Sequence, residues 1–175
     1  IVEIDETFVG GREANKHEHK KLKMGRGAVG KEAVFGMRQE DGRTIAMHIP
    51  AVDTGTVHQA IIRNVEVGST IHSDEAGAYN GLGGLFFKHE RVNHGTGEFA
   101  RDGVSTNSIE SVWAVLKRGV HGVFHHVSPK HLDRYVQEFT FRLNDGNVAR
   151  HTLARLDSFI AGTAGRRLSY RALVA

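Results

Sequence analysis

No cysteine occurs among the 175 residues. That excludes disulfides and any thiolate metal site, and it is consistent with a reducing compartment. No run approaches the ~18 consecutive apolar residues of a membrane span, and no basic n-region with an apolar h-region opens the chain. The sequence therefore predicts neither a spanning helix nor a secretion signal. Internal repeats are missing as well. Proline is scarce: Pro50 and Pro129 are the only two, each at the edge of a predicted element. What is present, 39% hydrophobic residues at this length, suits one globular domain with a substantial core. The net charge is only +3, yet the isoelectric point is 9.3 and the basic residues are clustered. Twelve histidines add positive charge as pH falls toward their ordinary range. The first residue is Ile1 and lies inside a predicted strand, which predicts a further segment upstream.

The stretch that organises the rest is residues 106–118, TNSIESVWAVLKR. Ile109, Val112, Trp113 and Leu116 recur at i, i+3, i+4 and i+7, the spacing of one apolar helical face. Glu110 and Lys117 lie almost two turns apart and point the same way, with Asn107 one turn before Glu110 and about 60° around the axis. The helix therefore presents an amide, a carboxylate and an ammonium along one edge. A local account also exists. Asn107 is a favoured N-cap, and Glu110 would then stand at N3, close to a capping box.

Residues 1–9, IVEIDETFV, read as a strand ending at Gly10-Gly11. Asp is disfavoured in strands, so three acids in four residues (Glu3, Asp5 and Glu6) require a reason beyond a solvated edge. Residues 15–31 change character: Lys16, Lys20, Lys21, Lys23, Arg26 and Lys31 surround His17 and His19 without apolar periodicity. This predicts a basic loop that follows a phosphate backbone, because like charges held this close otherwise repel. Residues 33–37 and 44–49 are two strands joined through Asp41-Gly42, a strong hairpin signal. With the first strand they form a three-stranded antiparallel meander. Asp53 or Thr54 caps a helix carrying Val57, Ala60, Ile61 and Val65 that stops near Gly68. Residues 70–74 form a short buried strand with Asp74 at its C-terminal end, where α/β sheets usually bind ligands. Residues 75–79 are a turn or short helix, 86–92 a further strand, and 94–105 a glycine-punctuated loop. Ser128 with Pro129 opens another helix, whose stripe is Leu132, Tyr135, Val136, Phe139 and Leu143 and which ends at residues 144–146. A last amphipathic segment carries Leu153, Leu156, Phe159 and Ile160.

This order predicts an α/β fold with a mixed sheet. Asp5 and Asp74 sit on two strands, and Glu110 is the natural third acid, with 35 residues between it and Asp74. Carboxylates brought together repel and raise one another's pKa. A hard cation such as Mg²⁺ removes that cost, and two of them ~3.5–4 Å apart serve phosphodiester displacement.

IDETFVGG, HSDEAGAY, TNSIESVWAVLKR and HHVSPKHLDRYVQEFTFR, in this order over residues 1 to about 145, resemble insertion-sequence transposases of the DDE type, and specifically the ISXO2-like catalytic domain. The resemblance implies a ribonuclease-H-like fold, an antiparallel meander plus parallel strands flanked by helices. It implies Mg²⁺-dependent DNA cleavage and strand transfer, with Mn²⁺ as substitute. Asp5 and Asp74 match the first two metal acids. Glu110 or Asn107 matches the third catalytic position, followed by Lys117; the spacing favours Glu110 as the metal ligand. The basic loop, Lys117, Arg118, His125 and His126 become DNA contacts. Element ends and target DNA are the implied partners, with a homodimer or higher oligomer on the DNA, in bacterial cytoplasm near the nucleoid and away from membranes. The implied catalytic domain spans 1–162, with loop insertion 15–31, a basic tail at 163–175 and a DNA-binding segment upstream. The alternatives are an inactive DNA-binding relative and a nuclease of the same fold; the trio of acids argues against mere binding.

His17, His19, His125, His126 and His131 could suggest zinc, but such a site needs three or four converging ligands at defined spacing, and no cysteine helps here. Glu3, Glu6 and Glu75 flank the proposed metal acids and read either as groups that support those acids from behind or, in preference, as plain surface carboxylates. Trp113 reads as core.

Overall fold

The computed structural model describes residues 1–11, 15–22, 28–40, 42–92, 100–101, 103–146, 148–167, 169 and 171. Five strands form one mixed sheet in the order β3-β2-β1-β4-β5. They are β1 Val2–Val9, β2 Glu32–Gln39, β3 Thr44–Ile49, β4 Thr70–Ser73 and β5 Lys88–Arg91. β1 pairs antiparallel with β2, and β2 with β3, as the meander predicts. β1 pairs parallel with β4, and β4 with β5. A parallel partner cannot be reached by a tight turn. The chain crosses over through helix α1, Thr54–Asn64, which Asp53 caps by accepting from the Thr56 N–H at 2.9 Å. Of the Asp41-Gly42 turn, Asp41 lies outside the described residues; Gly42 N–H donates to the Gln39 carbonyl at 3.0 Å.

The alternation along β1 divides the core. Ile4, with Val2 and Phe8 beside it, joins Phe35, Met37, Ile61 and Ile71 under α1. The opposite face, carrying Glu3, Asp5, Thr7 and Val9, lies under α2, Asn107–Gly119, and α3, Leu132–Asn144. The four stripe residues of α2 are all buried, as their spacing predicts. A π-helical turn, Val120–Phe124, extends α2, and a 3₁₀ turn with Pro129 at its first position leads into α3. Asn144 does more than end that helix. Its amide accepts from the Thr44 N–H and donates to the Thr44 carbonyl, each at 2.8 Å. Both backbone groups belong to β3, an edge strand, and are thereby shielded from a foreign strand.

Four details depart from the sequence reading. The strand expected over 86–92 is confined to Lys88–Arg91. The loop predicted over 94–105 contains a small hairpin, β6 Ala100–Arg101 with β7 Val104–Ser105, while its residues 94–99 and 102 lie outside the described residues. The final amphipathic segment is helical, α4 Thr152–Thr163, but Leu153, Leu156, Phe159 and Ile160 are all exposed. Phe159 meets Phe141 edge to face. The fourth correction concerns the start of α2. Thr106, not Asn107, is its N-cap, since the Thr106 carbonyl accepts the first intrahelical bond, from the Glu110 N–H at 3.1 Å. Asn107 is thus the first helical residue and Glu110 the fourth, so no capping box forms. The cap comes from across the fold: Glu3 Oε2 accepts from Ser108 Oγ at 2.7 Å and from the Ile109 N–H at 2.9 Å. A carboxylate at a helix N-terminus satisfies an orphan donor and complements the helix dipole.

Candidate active site

β1 and β4 run side by side, with Val2 opposite Ile71 and Glu3 opposite His72. Two further steps along this register bring Asp74, just past the end of β4, level with Asp5 in the middle of β1. Their charges interact. The Asp5 carboxyl is pushed up to about 7, chiefly by burial, then by the neighbouring charges of Glu6 and Asp74. A backbone N–H at Glu6 and the indole of Trp113 pull the other way without restoring the usual value. Asp74 is partly fixed by its own turn, Oδ1 accepting from the Ala76 N–H at 2.9 Å. From below, Ser73 Oγ donates to the Asp74 carbonyl at 2.7 Å and meets His89 Nε2 at 2.8 Å. Burial and the nearby Arg91 and His58 charges push the His89 imidazole down to about 4, so it is neutral at neutral pH.

Glu6 points to the opposite face of β1. There the Tyr79 hydroxyl donates to its carboxylate. Burial raises the pKa of Glu6, the Tyr79 hydrogen bond opposes this, and Asp74 adds to the rise. The phenol of Tyr79 is also pushed up, by burial and then by the charge of Glu6. Tyr79 ends the short turn that follows Asp74, Gly77–Tyr79. The segment carrying the second acid is therefore pinned to the residue next to the first.

The α2 edge faces Asp5 from the other layer. Trp113 Nε1–H donates to Asp5 Oδ2 at 2.9 Å. Trp113 stands three residues after Glu110 and four before Lys117, so all three lie along one edge. The Glu110 carboxylate is exposed and accepts from Thr106 Oγ1 at 3.1 Å. Among the described residues no group of three or more His, Asp or Glu side chains is gathered as a metal-holding cluster. The structure thus brings Asp5 and Asp74 together and leaves Glu110 on the neighbouring helix edge, with Asn107 exposed one turn before it. The pair suits a hard cation on chemistry: Mg²⁺ is typically held by one or two carboxylates and completes its shell with water and substrate phosphate. The burial of Asp5 and the negative charges of Glu6 and Asp74 beside it are what such a cation offsets.

Beyond the acids, a cleft opens between the end of β1 and the end of α2. Lys31, Lys117 and His121 line one part, and Asn15, His125 and His126 its continuation. Four residues chosen as DNA contacts from the sequence therefore meet in one place. Arg118 is exposed on the last turn of α2. Lys16 is half-buried, and Lys21 pairs with Glu18 at 2.9 Å. Lys20 ends a 3₁₀ turn, and Lys23 and Arg26 lie outside the described residues.

Sequence reasoning named Glu3 and Glu6 only as flanking carboxylates and did not find their partners, the start of α2 and Tyr79; it missed the indole of Trp113 and His121 altogether. The cluster of acids in an apolar strand was the available signal for the first two. For Trp113 it was the shared edge with Glu110 and Lys117.

Two comparisons place the fold and the chain. The catalytic core domain of BIV integrase matches with a TM-score of 0.54 at 14% identity, covering 92% of this chain and 96% of that one. At that identity the likeness speaks for the fold, which is ribonuclease-H-like: a mixed five-stranded sheet flanked by helices. Among curated proteins, no sequence matches significantly. Residues 1–144 match the family model of the ISXO2-like transposase domain, and the chain belongs to that family.

Proposed function

We propose that this chain is the catalytic domain of a transposase that cleaves DNA strands and joins them to target DNA with the help of divalent metal ions. The observation that carries the reading is the pairing of Asp5 and Asp74 across the parallel β1–β4 junction, where burial and then the charges of Glu6 and Asp74 hold Asp5 well above the carboxylate range. Asp5 and Asp74 would hold the metal, and Glu110 would be the third acid, contributed by α2. A bound Mg²⁺ or Mn²⁺ supplies activation of the attacking oxygen and stabilisation of the leaving oxygen at a phosphodiester. Lys117, with Lys31, His121, His125 and His126 in the adjoining cleft, neutralises the phosphates on either side of the scissile bond. Arg118 and the loop lysines extend that contact. In this reading residues 1–162 are the catalytic domain and 163–175 a basic tail. The chain acts on bacterial nucleoid DNA as a homodimer or larger assembly, targeted by an upstream DNA-binding segment.

The test is strand cleavage and joining on oligonucleotides carrying the element's ends, in Mg²⁺ and in Mn²⁺. Asp5→Asn and Asp74→Asn should each abolish both steps while leaving DNA affinity nearly intact. Glu110→Gln keeps shape and removes charge, so cleavage should fall by orders of magnitude with the fold unharmed. Asn107→Asp places an acid in the first turn of α2, which the helix dipole tolerates. Full activity in Glu110→Gln together with altered metal preference in Asn107→Asp would transfer the third position to Asn107. Binding without cleavage in the unmodified protein would make it a DNA-holding relative, and cleavage without joining a nuclease.

A further inference from the structure

We propose that Trp113 is a positioning residue for the metal centre: its indole N–H holds one oxygen of Asp5 so that the other is presented to the cation. The inference rests on the metal-centre reading given above. Three observations carry it. The bond from Trp113 Nε1 to Asp5 Oδ2 is 2.9 Å long and made by a side chain only 4% exposed, so water has little access to the donor. The ring cannot turn away. Gly36 lies directly opposite Asp5 on β2, and a Cβ built there would stand 2.4 Å from Trp113 Cη2 and 2.5 Å from Cζ2. The sheet therefore leaves a slot of the indole's own shape, and in that slot the N–H aims at the carboxylate. Finally, Trp113 shares its helix edge with Glu110, so one rigid element sets both the third acid and the orientation of the first.

The simpler account is a core tryptophan whose N–H took the nearest acceptor, as buried indoles usually do. That account gives the donor no bearing on metal affinity. A carboxylate free to rotate must be ordered by the cation itself, whereas one already held loses less on binding. Partners of this kind typically change metal affinity 10–100-fold when removed.

The chain has a single tryptophan, which supplies a direct readout. Excitation moves electron density in indole away from the pyrrole nitrogen, so a carboxylate at Nε1 favours the excited state. Neutralising it shifts emission to the blue. The experiment titrates the full chain with Mg²⁺, following heat and tryptophan emission in parallel. It then repeats the calorimetry on Trp113→Phe and on the protein with Trp113 replaced by benzothienylalanine, which keeps the ring's bulk and lacks the N–H. Expected are a blue shift with the calorimetric midpoint, loss of both signals in Asp5→Asn, and roughly tenfold weaker Mg²⁺ binding in each ring variant. Wild-type affinity in the benzothienyl protein, or emission indifferent to saturating Mg²⁺, overturns the positioning role while the metal centre stands. If Trp113→Phe fails to melt cooperatively, the isosteric variant decides alone. No Mg²⁺ uptake by the unmodified chain, seen by calorimetry, removes the metal-centre reading and the inference with it.

Discussion

Placing a methyl group at Gly36 tests how the two layers meet at the site. Gly36 sits in the middle of β2, and its missing side chain is the space that the far ring of Trp113 occupies. The added carbon would stand 2.4 Å and 2.5 Å from that ring and 3.1 Å from Ile109 Cδ1. Carbon atoms in contact prefer about 3.5–4.0 Å, so the ring must retreat by roughly 1 Å. Overpacking of this kind costs about 1–3 kcal/mol. The retreat also draws Nε1 away from Asp5, where a hydrogen bond to a charged group contributes about 1.5–3 kcal/mol. Reduced freedom of the unfolded chain returns about 0.4–1 kcal/mol. Gly36→Ala should therefore lose about 1.5–5.5 kcal/mol. Trp113→Phe lacks the ring atoms that collide, so Gly36→Ala added to it should cost less than about 1 kcal/mol, a coupling of about 2 kcal/mol. Urea unfolding followed by far-ultraviolet circular dichroism measures all four proteins, with unchanged slope as the check that only stability moved. Additive losses, or a Gly36→Ala protein within about 0.5 kcal/mol of the parent, would refute the packing argument.

Three other outcomes follow from the same contacts. Glu3→Ala removes the acceptor from the Ile109 N–H and Ser108 Oγ, and thermal melts should show a loss of about 1–2 kcal/mol, with Glu3→Gln retaining much of it. Phe86 holds φ +87° and is 74% exposed; a left-handed backbone suits Asn far better than a large aromatic, so Phe86→Asn should raise the melting midpoint by roughly 2–4 °C. In EDTA, the Asp5 carboxyl titrates near 7 in the fold against its usual 3.8, so the folded state holds the proton more tightly. Its contribution is then greatest below about pH 4 and declines as pH rises to about 7, by up to roughly 4 kcal/mol relative to Asp5→Asn. A pH-independent difference between the two urea midpoints would contradict this, and Mg²⁺ should narrow the difference above pH 7.

Much of the fold was legible because it depends on local periodicity. The stripe of α2, the meander and the Asp53 cap all follow from residues a few positions apart, and each was found where the sequence placed it, whereas Ser128-Pro129 opens a 3₁₀ turn and α3 itself begins at Leu132. The misreadings arose where a distant segment decided a local question. Asn107 looks like an N-cap, but the acceptor that closes the start of α2 belongs to Glu3, more than a hundred residues earlier. No window of sequence contains both. Leu153, Leu156, Phe159 and Ile160 have helical spacing, and they are helical, yet spacing reports which residues share a face and not what that face meets.

The site follows the same division, and the reason lies in β1. Its acids looked anomalous because a strand facing two apolar layers should not carry them. Each turns out to answer a group that arrives from elsewhere. Glu3 meets the N–H end of α2, Asp5 the indole of that helix, and Glu6 the phenol of Tyr79 on the opposite face. Two of the three are thereby committed to architecture, and alternation assigns them to opposite layers. Asp5 differs. One of its oxygens takes the indole, but its burial and the charges of Glu6 and Asp74 are not offset by any cation among the described contacts. A carboxylate placed so, at a strand junction and beside a basic cleft, is strained as an ion in the bare protein. The strain is what makes it suited to a metal: a positive charge there recovers energy that the fold by itself leaves uncompensated. Removing Glu3 should therefore weaken the protein, whereas neutralising Asp5 should strengthen the metal-free chain while ending its chemistry.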